Sequence, residues 1–120
     1  MNPLYRLPLL YAFYGNLLTE RQRTFFEMRY YQDLSLGEIA ENLRISRAAV
    51  HDGLERAEDE LELLEEKLGV VAQHLRERSM LSKLESILNE LEVVDSSKSR
   101  VQEARAIVRS LLEGSMDDGV

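Results

Sequence analysis

An all-α fold follows from three features of this 120-residue sequence. It holds two prolines and six glycines, so little interrupts a helix. Capping signals of the form Ser/Thr-x-x-Glu/Gln stand before apolar runs. From Leu54 onward apolar residues return every three and four positions, the period of a helical seam. The predicted architecture is a helix-turn-helix bundle followed by long amphipathic C-terminal helices.

Taken in order, Pro3 or Pro8 suits the first turn of a helix that ends near Gly15 and Asn16. Thr19 and Gln22 make a capping box, opening a helix whose Phe25, Met28 and Tyr31 share a face widened by Phe26 and Tyr30. Ser35 and Glu38 make a second box, before a short helix with Leu36, Ile39, Ala40 and Leu43 on one side. Ser46 caps a fourth helix. Its seam is Leu54, Ala57, Leu61, Leu64, Leu68, Val71 and Leu75, spaced 3, 4, 3, 4, 3, 4. Gly69 lies inside that run and costs about 1 kcal/mol relative to Ala, which predicts a kink or break. Beyond it Leu81, Leu84, Leu88 and Leu91 resume the pattern, Asp95-Ser96-Ser97 reads as a turn and cap, and Val101, Ala104, Val108 and Leu111 mark a last helix. The expected divisions are a helix-turn-helix domain over 1–67, a helical extension over 68–113 and a flexible tail over 114–120.

Charge narrows the function. The net charge is -7, and residues 1–56 balance, so the whole acidic excess lies in the second half. A general nucleic-acid binder carries a basic excess; here only a local basic face can serve. The absence of cysteine removes disulfides, thiol nucleophiles and zinc-thiolate sites, and fits a reducing cytoplasm. The stretch from Leu4 to Tyr14 is far short of the roughly 20 residues that span a bilayer and lacks the features of a secretory signal, so no membrane insertion is expected.

The chemistry sits in SLGEIAENLRISRAAVHDGL, residues 35–54, which has the form of a helix-turn-helix. Ala40 lets the next helix approach, Leu43-Arg44-Ile45 turns, and Val50 and Leu54 pack back. The start of the second helix is the part that enters a major groove in such units. The candidate nucleic-acid contacts are Arg44, Ser46, Arg47 and His51, beside Ala48 and Asp52. Arg21, Arg23 and Arg29 suggest a further basic face, with Glu20 and Glu27 set among them. His51 and His74 share no ligand spacing, the Glu58–Glu66 cluster lacks the loop of a calcium site, and no nucleophile stands beside a base. The expectation is no catalytic residue, no metal and no cofactor.

The segment from LLTERQR through SLGEIAENLRIS to GLERAEDEL resembles region 4 of bacterial sigma factors. More closely, YAFYGNLLTERQ, RYYQDLSLGEIAE, SRAAVHDGLERAE and ELLEEKL are similar to the YlxM family of small bacterial proteins, over about residues 4–80. The resemblance implies an all-helical helix-turn-helix without a wing. It also implies a part in the signal recognition particle pathway, beside whose genes such proteins are encoded. Arg44 departs from the usual turn residue, and Ala48, His51 and Glu55 stand where similar sequences often show Gln, an aromatic and Lys.

The expected function is that of a non-catalytic cytoplasmic accessory or regulatory protein of that pathway, with its GTPase or its RNA as partner. The alternative is a sequence-specific DNA-binding regulator. The seam from Leu54 to Leu75 fits either an intrachain core or a second copy. Its length, against the small size of a helix-turn-helix, favours a homodimer.

Overall fold

All three caps foreseen in the sequence are made. The Thr19 hydroxyl accepts the Gln22 N–H at 3.1 Å while the Gln22 side chain accepts the Thr19 N–H at 2.9 Å. Ser35 and Glu38 repeat the exchange at 3.1 and 2.9 Å, and Ser46 accepts the Ala49 N–H at 3.0 Å. Each cap fixes where a helix begins. The structure, a computed structural model, describes residues 3–94 and 98–118. Among these the chain is helical, with no strand: α1 (Pro3–Tyr14), a single 3-10 turn (Gly15–Leu17), α2 (Glu20–Tyr30), α3 (Leu36–Leu43), α4 (Arg47–Leu68), α5 (Val70–Val94) and α6 (Lys98–Asp118). No helix among the described residues is long and apolar enough to cross a membrane.

Helix α1 opens at Pro3 and runs through Pro8. Pro8 is the sixth residue of this helix, so its ring removes one intrahelical hydrogen bond from the interior and not from the first turn. The chain forms two compact units, Met1–Val71 and Ala72–Val120. In the first, α1, α2 and α3 all pack on α4. One core joins Leu10, Tyr14, Leu18 and Phe26 to Ala57, Leu61 and Val71, and a second joins Phe25, Ile39 and Ala40 to Val50 and Leu54. The Phe26 ring stacks on Tyr11 at 4.4 Å and on Tyr30 at 4.3 Å. Arg6 meets Glu62 with two bonds of 2.8 and 2.7 Å, tying α1 to α4 at the surface. Both groups are about half exposed, so the pair is worth about 1 kcal/mol or less.

The break at Gly69 falls where expected, with φ of 63° ending α4. A distant residue completes it. The first N–H groups of α5 have no partner in their own helix. The Val70 N–H donates to the Tyr14 hydroxyl at 3.1 Å, and the Val71 N–H donates to Glu65 Oε1 at 3.0 Å. Tyr14 in turn donates to Glu65 Oε1 at 2.5 Å. The end of α1 therefore caps the start of α5.

Burial, the largest cause for each, holds the phenols of Tyr11, Tyr14, Tyr30 and Tyr31 above the ordinary tyrosine range. Glu65 adds to this for Tyr14, and Glu58 for Tyr30. A raised phenol favours the neutral form in the folded chain. Its stabilisation is therefore complete below the unfolded value near pH 10 and is lost as pH climbs through the folded value. Urea unfolding midpoints should be level from about pH 8 to 9.5 and fall above about 10.5, together with the rise of tyrosinate absorbance. A midpoint that stays level while the phenols ionise would contradict this.

The second unit comprises α5 from Ala72 and α6. Val101, Val108 and Leu112 of α6 are buried. The inward face thus ends on Leu112 in place of the expected Leu111, because Val108 and Leu112 are one turn apart on the same side. Arg78 donates to the Leu112 carbonyl at 2.6 Å, and Arg109 pairs with Glu85 at 3.5 Å. Of the expected row on α5, Leu81 and Leu88 are half-buried, whereas Leu84 and Leu91 are exposed. Helix α6 runs past Gly114 to Asp118, where the sequence reading begins a tail. The foreseen turn at Asp95-Ser96-Ser97 lies outside the described residues.

Candidate nucleic-acid interface

The turn between α3 and α4 is built by Arg44, not by glycine. Arg44 has φ 57° and ψ 46°, the left-handed conformation, and its N–H reaches the carbonyls of Ala40 and Glu41. The Ile45 N–H also reaches Ala40 O, at 3.1 Å. These bonds satisfy the last carbonyls of α3. A non-glycine residue here costs about 1 kcal/mol. Arg44→Gly is therefore expected to raise the unfolding free energy by up to about 1 kcal/mol while removing a cation from the turn. Chemical denaturation checks the first effect, and a loss of stability would show that the Arg44 side chain holds the turn.

Beneath the turn, Ile39, Ala40, Val50 and Leu54 pack with Phe25, and Leu43 and Ile45 lean against them. That packing buries Val50 and leaves the opposite face of the first two turns of α4 outward. Arg44, Ser46, Arg47 and His51 are all exposed, as are Ala48, Ala49 and Asp52. The Ser46 oxygen caps α4, so its hydroxyl proton stays available to a phosphate. Among the described residues, neither Arg44 nor Arg47 has an ion pair or side-chain hydrogen bond. His51 lies 3.9 Å from Glu55, and Arg56 pairs with Asp52 at 3.2 Å. The cationic end is thus two free arginines and a capping serine, bordered by acids one turn further on.

The basic face suggested by Arg21, Arg23 and Arg29 is split by the fold. Arg29 donates to the Leu34 carbonyl at 3.0 Å, and Arg23 borders a depression with Tyr11, Asn16 and Glu27. Arg21 lies against the helix-turn-helix. Its guanidinium lies 5.1 Å from the Phe25 ring centre, and it lines a groove with Ala49, Asp52, Gly53 and Arg56 of α4. Gly53 lets α4 approach α2 closely: a Cβ there would stand 2.2 Å from the Phe25 ring. An isolated glycine inside a helical pattern is the sequence signal for such an approach.

The seam from Leu54 to Leu75 divides as well. Leu54, Ala57, Leu61 and Val71 are buried within the one chain, and Leu64 packs partly against the same core. The expectation that so small a unit leaves this stripe bare is corrected here, because α1 lies across α4 and covers its middle. Leu68 and Leu75 remain exposed.

Two capped helices joined by a tight left-handed turn, with the second presented to solvent, define a helix-turn-helix protein. The chain belongs to the UPF0122 family, described as "Putative helix-turn-helix protein, YlxM / p13 like", whose pattern matches residues 1–103. A UPF0122 protein of Desulforamulus reducens is 40% identical over 117 residues, covering 98% of this chain and 99% of that one. Another from Caldanaerobacter subterraneus subsp. tengcongensis is 57% identical over 81 residues, 68% of this chain and 67% of the relative. One from Thermoanaerobacter is 51% identical over 88 residues, 73% of each.

Proposed function

We propose that this chain is a non-catalytic regulatory protein of the cytoplasm, an accessory to the signal recognition particle pathway that meets the particle's RNA through the start of α4. The observation that carries the reading is the exposed, unpaired pair Arg44 and Arg47 flanking Ser46, on a chain whose net charge is -7. Two arginines and a hydroxyl suit about two or three phosphates, a short stretch of folded RNA, whereas a long duplex asks for a wider basic track. The choice of pathway rests on the resemblance to proteins encoded beside the particle's genes. Affinity capture of the tagged chain at native abundance, with and without ribonuclease, tests it. The particle's RNA and GTPase should be recovered together, and ribonuclease should release the GTPase. Recovery of neither, while a control partner is recovered, removes the reading.

Sequence-specific DNA binding is the second reading. It is favoured by the completeness of the helix-turn-helix and by the outward position of Arg47, whose fork suits guanine. Random-site selection at low salt decides it: failure to enrich any site sets DNA aside.

A further inference from the structure

Helix α5 carries two apolar rows, of which one is used. Leu81 and Leu88 are half-buried in the second unit, where Val101, Val108 and Leu112 of α6 are buried. The other row is Met80, Leu84, Ile87 and Leu91, spaced 4, 3, 4. These side chains are 70, 44, 52 and 44% exposed. A contiguous row of large apolar residues at heptad spacing marks a helix-pairing surface.

We infer that this row pairs with the same row of a second copy, the two α5 helices running antiparallel. The register is fixed by the residues. Placing Leu84 opposite the partner copy's Ile87 also places Met80 opposite Leu91, and the two-fold axis repeats both layers, so four layers are apolar throughout. Charge agrees with the same register. Lys83 sits between Met80 and Leu84, and Glu90 sits between Ile87 and Leu91. In the antiparallel pair each Lys83 borders the Glu90 of the other copy, twice over. Both are exposed, and among the described residues neither has an ion pair or hydrogen bond within its own chain. A parallel pair instead sets Lys83 against Leu88 and leaves both charges unmatched. Four half-exposed side chains with the stems of Lys83 and Glu90 bury several hundred Å² per copy. That falls below the roughly 800 Å² of a standard interface, so the dimer should form at micromolar concentration.

Sedimentation equilibrium of the full chain from about 5 to 200 µM reads the assembly. The mass should rise from 13.9 kDa toward twice that value as concentration increases. Ile87→Glu, at an exposed site, should keep its helicity and remain monomeric. Lys83→Glu or Glu90→Lys alone should weaken association roughly five- to tenfold, since each places two like-charged pairs at the rim. The double variant should return to within about twofold of the wild type, because the pairs are restored in reverse. A wild-type chain that stays monomeric overturns the proposal. So does a double variant no stronger than the singles, or dissociation by Ile107→Glu, at an exposed apolar residue of α6, but not by Ile87→Glu.

Discussion

Leu61→Glu unfolds the N-terminal unit. Leu61 is fully buried among Leu10, Tyr14, Leu18, Phe26, Ala57 and Val71. The substitution loses about 1.5–3 kcal/mol of apolar burial and places a carboxylate where no partner exists, for a total beyond about 5 kcal/mol. A domain of this size has only about 5–15 kcal/mol to lose. Circular dichroism should show helicity falling and the cooperative thermal transition of this unit disappearing, at every protein concentration. A folded variant with the wild-type melting temperature would contradict the assignment of this residue to an intrachain core. Were the seam held only by a second copy, the variant would be a folded monomer.

The next largest effect is expected at Gly53→Ala. The added carbon would stand 2.2, 2.7 and 3.1 Å from three carbons of the Phe25 ring, and the first two distances are closer than real Cβ contacts allow. Phe25 is 2% exposed and held by Ile39, Ala40, Val50 and Leu54, so the ring has no room to withdraw. Helix α4 must shift away from α2, at about 2–4 kcal/mol, which outweighs the roughly 1 kcal/mol that Ala gains over Gly in a helix. The shift also moves the turn at Arg44. A double-mutant cycle with Phe25→Leu isolates the clash: Gly53→Ala should be much milder once the ring is gone. Equal costs in both backgrounds would place the strain elsewhere.

Local features were legible in the sequence, and long-range ones were not. The caps at Thr19, Ser35 and Ser46 and the break at Gly69 depend on residues within one turn, so their spacing alone gives them away. The left-handed turn fell on Arg44 as the helix-turn-helix pattern requires, although that pattern favours a smaller residue there. Of the heptad that begins on α4, Leu54, Ala57, Leu61 and Val71 are buried while Leu68 and Leu75 are exposed, and the period is the same whether the cover is α1 or another chain. Nothing in the spacing shows that Leu10 and Tyr14 reach Leu61. The cap on α5 joins Tyr14 to Glu65 and Val70, 51 and 56 residues away, beyond any local pattern. On α5, Leu81, Leu84, Leu88 and Leu91 looked like one row because a 3, 4, 3 spacing also fits a step between two neighbouring faces. The structure separates them, and brings out Met80 and Ile87. At the site, Arg44, Ser46, Arg47 and His51 followed from the motif, whereas Arg21 required the packing of α2 on α4.

The account turns on whether the exposed start of α4 is a phosphate-binding end. The most direct measurement is the affinity of the purified chain for the particle's RNA across a range of salt, for the wild type and for Arg47→Ala. With two or three phosphates engaged, log K should fall against log salt with a slope of about -2, and Arg47→Ala should reduce that slope by close to 1 and cost about 1–3 kcal/mol. Binding that is absent at low salt, or that Arg47→Ala leaves unchanged in both strength and slope, would contradict it.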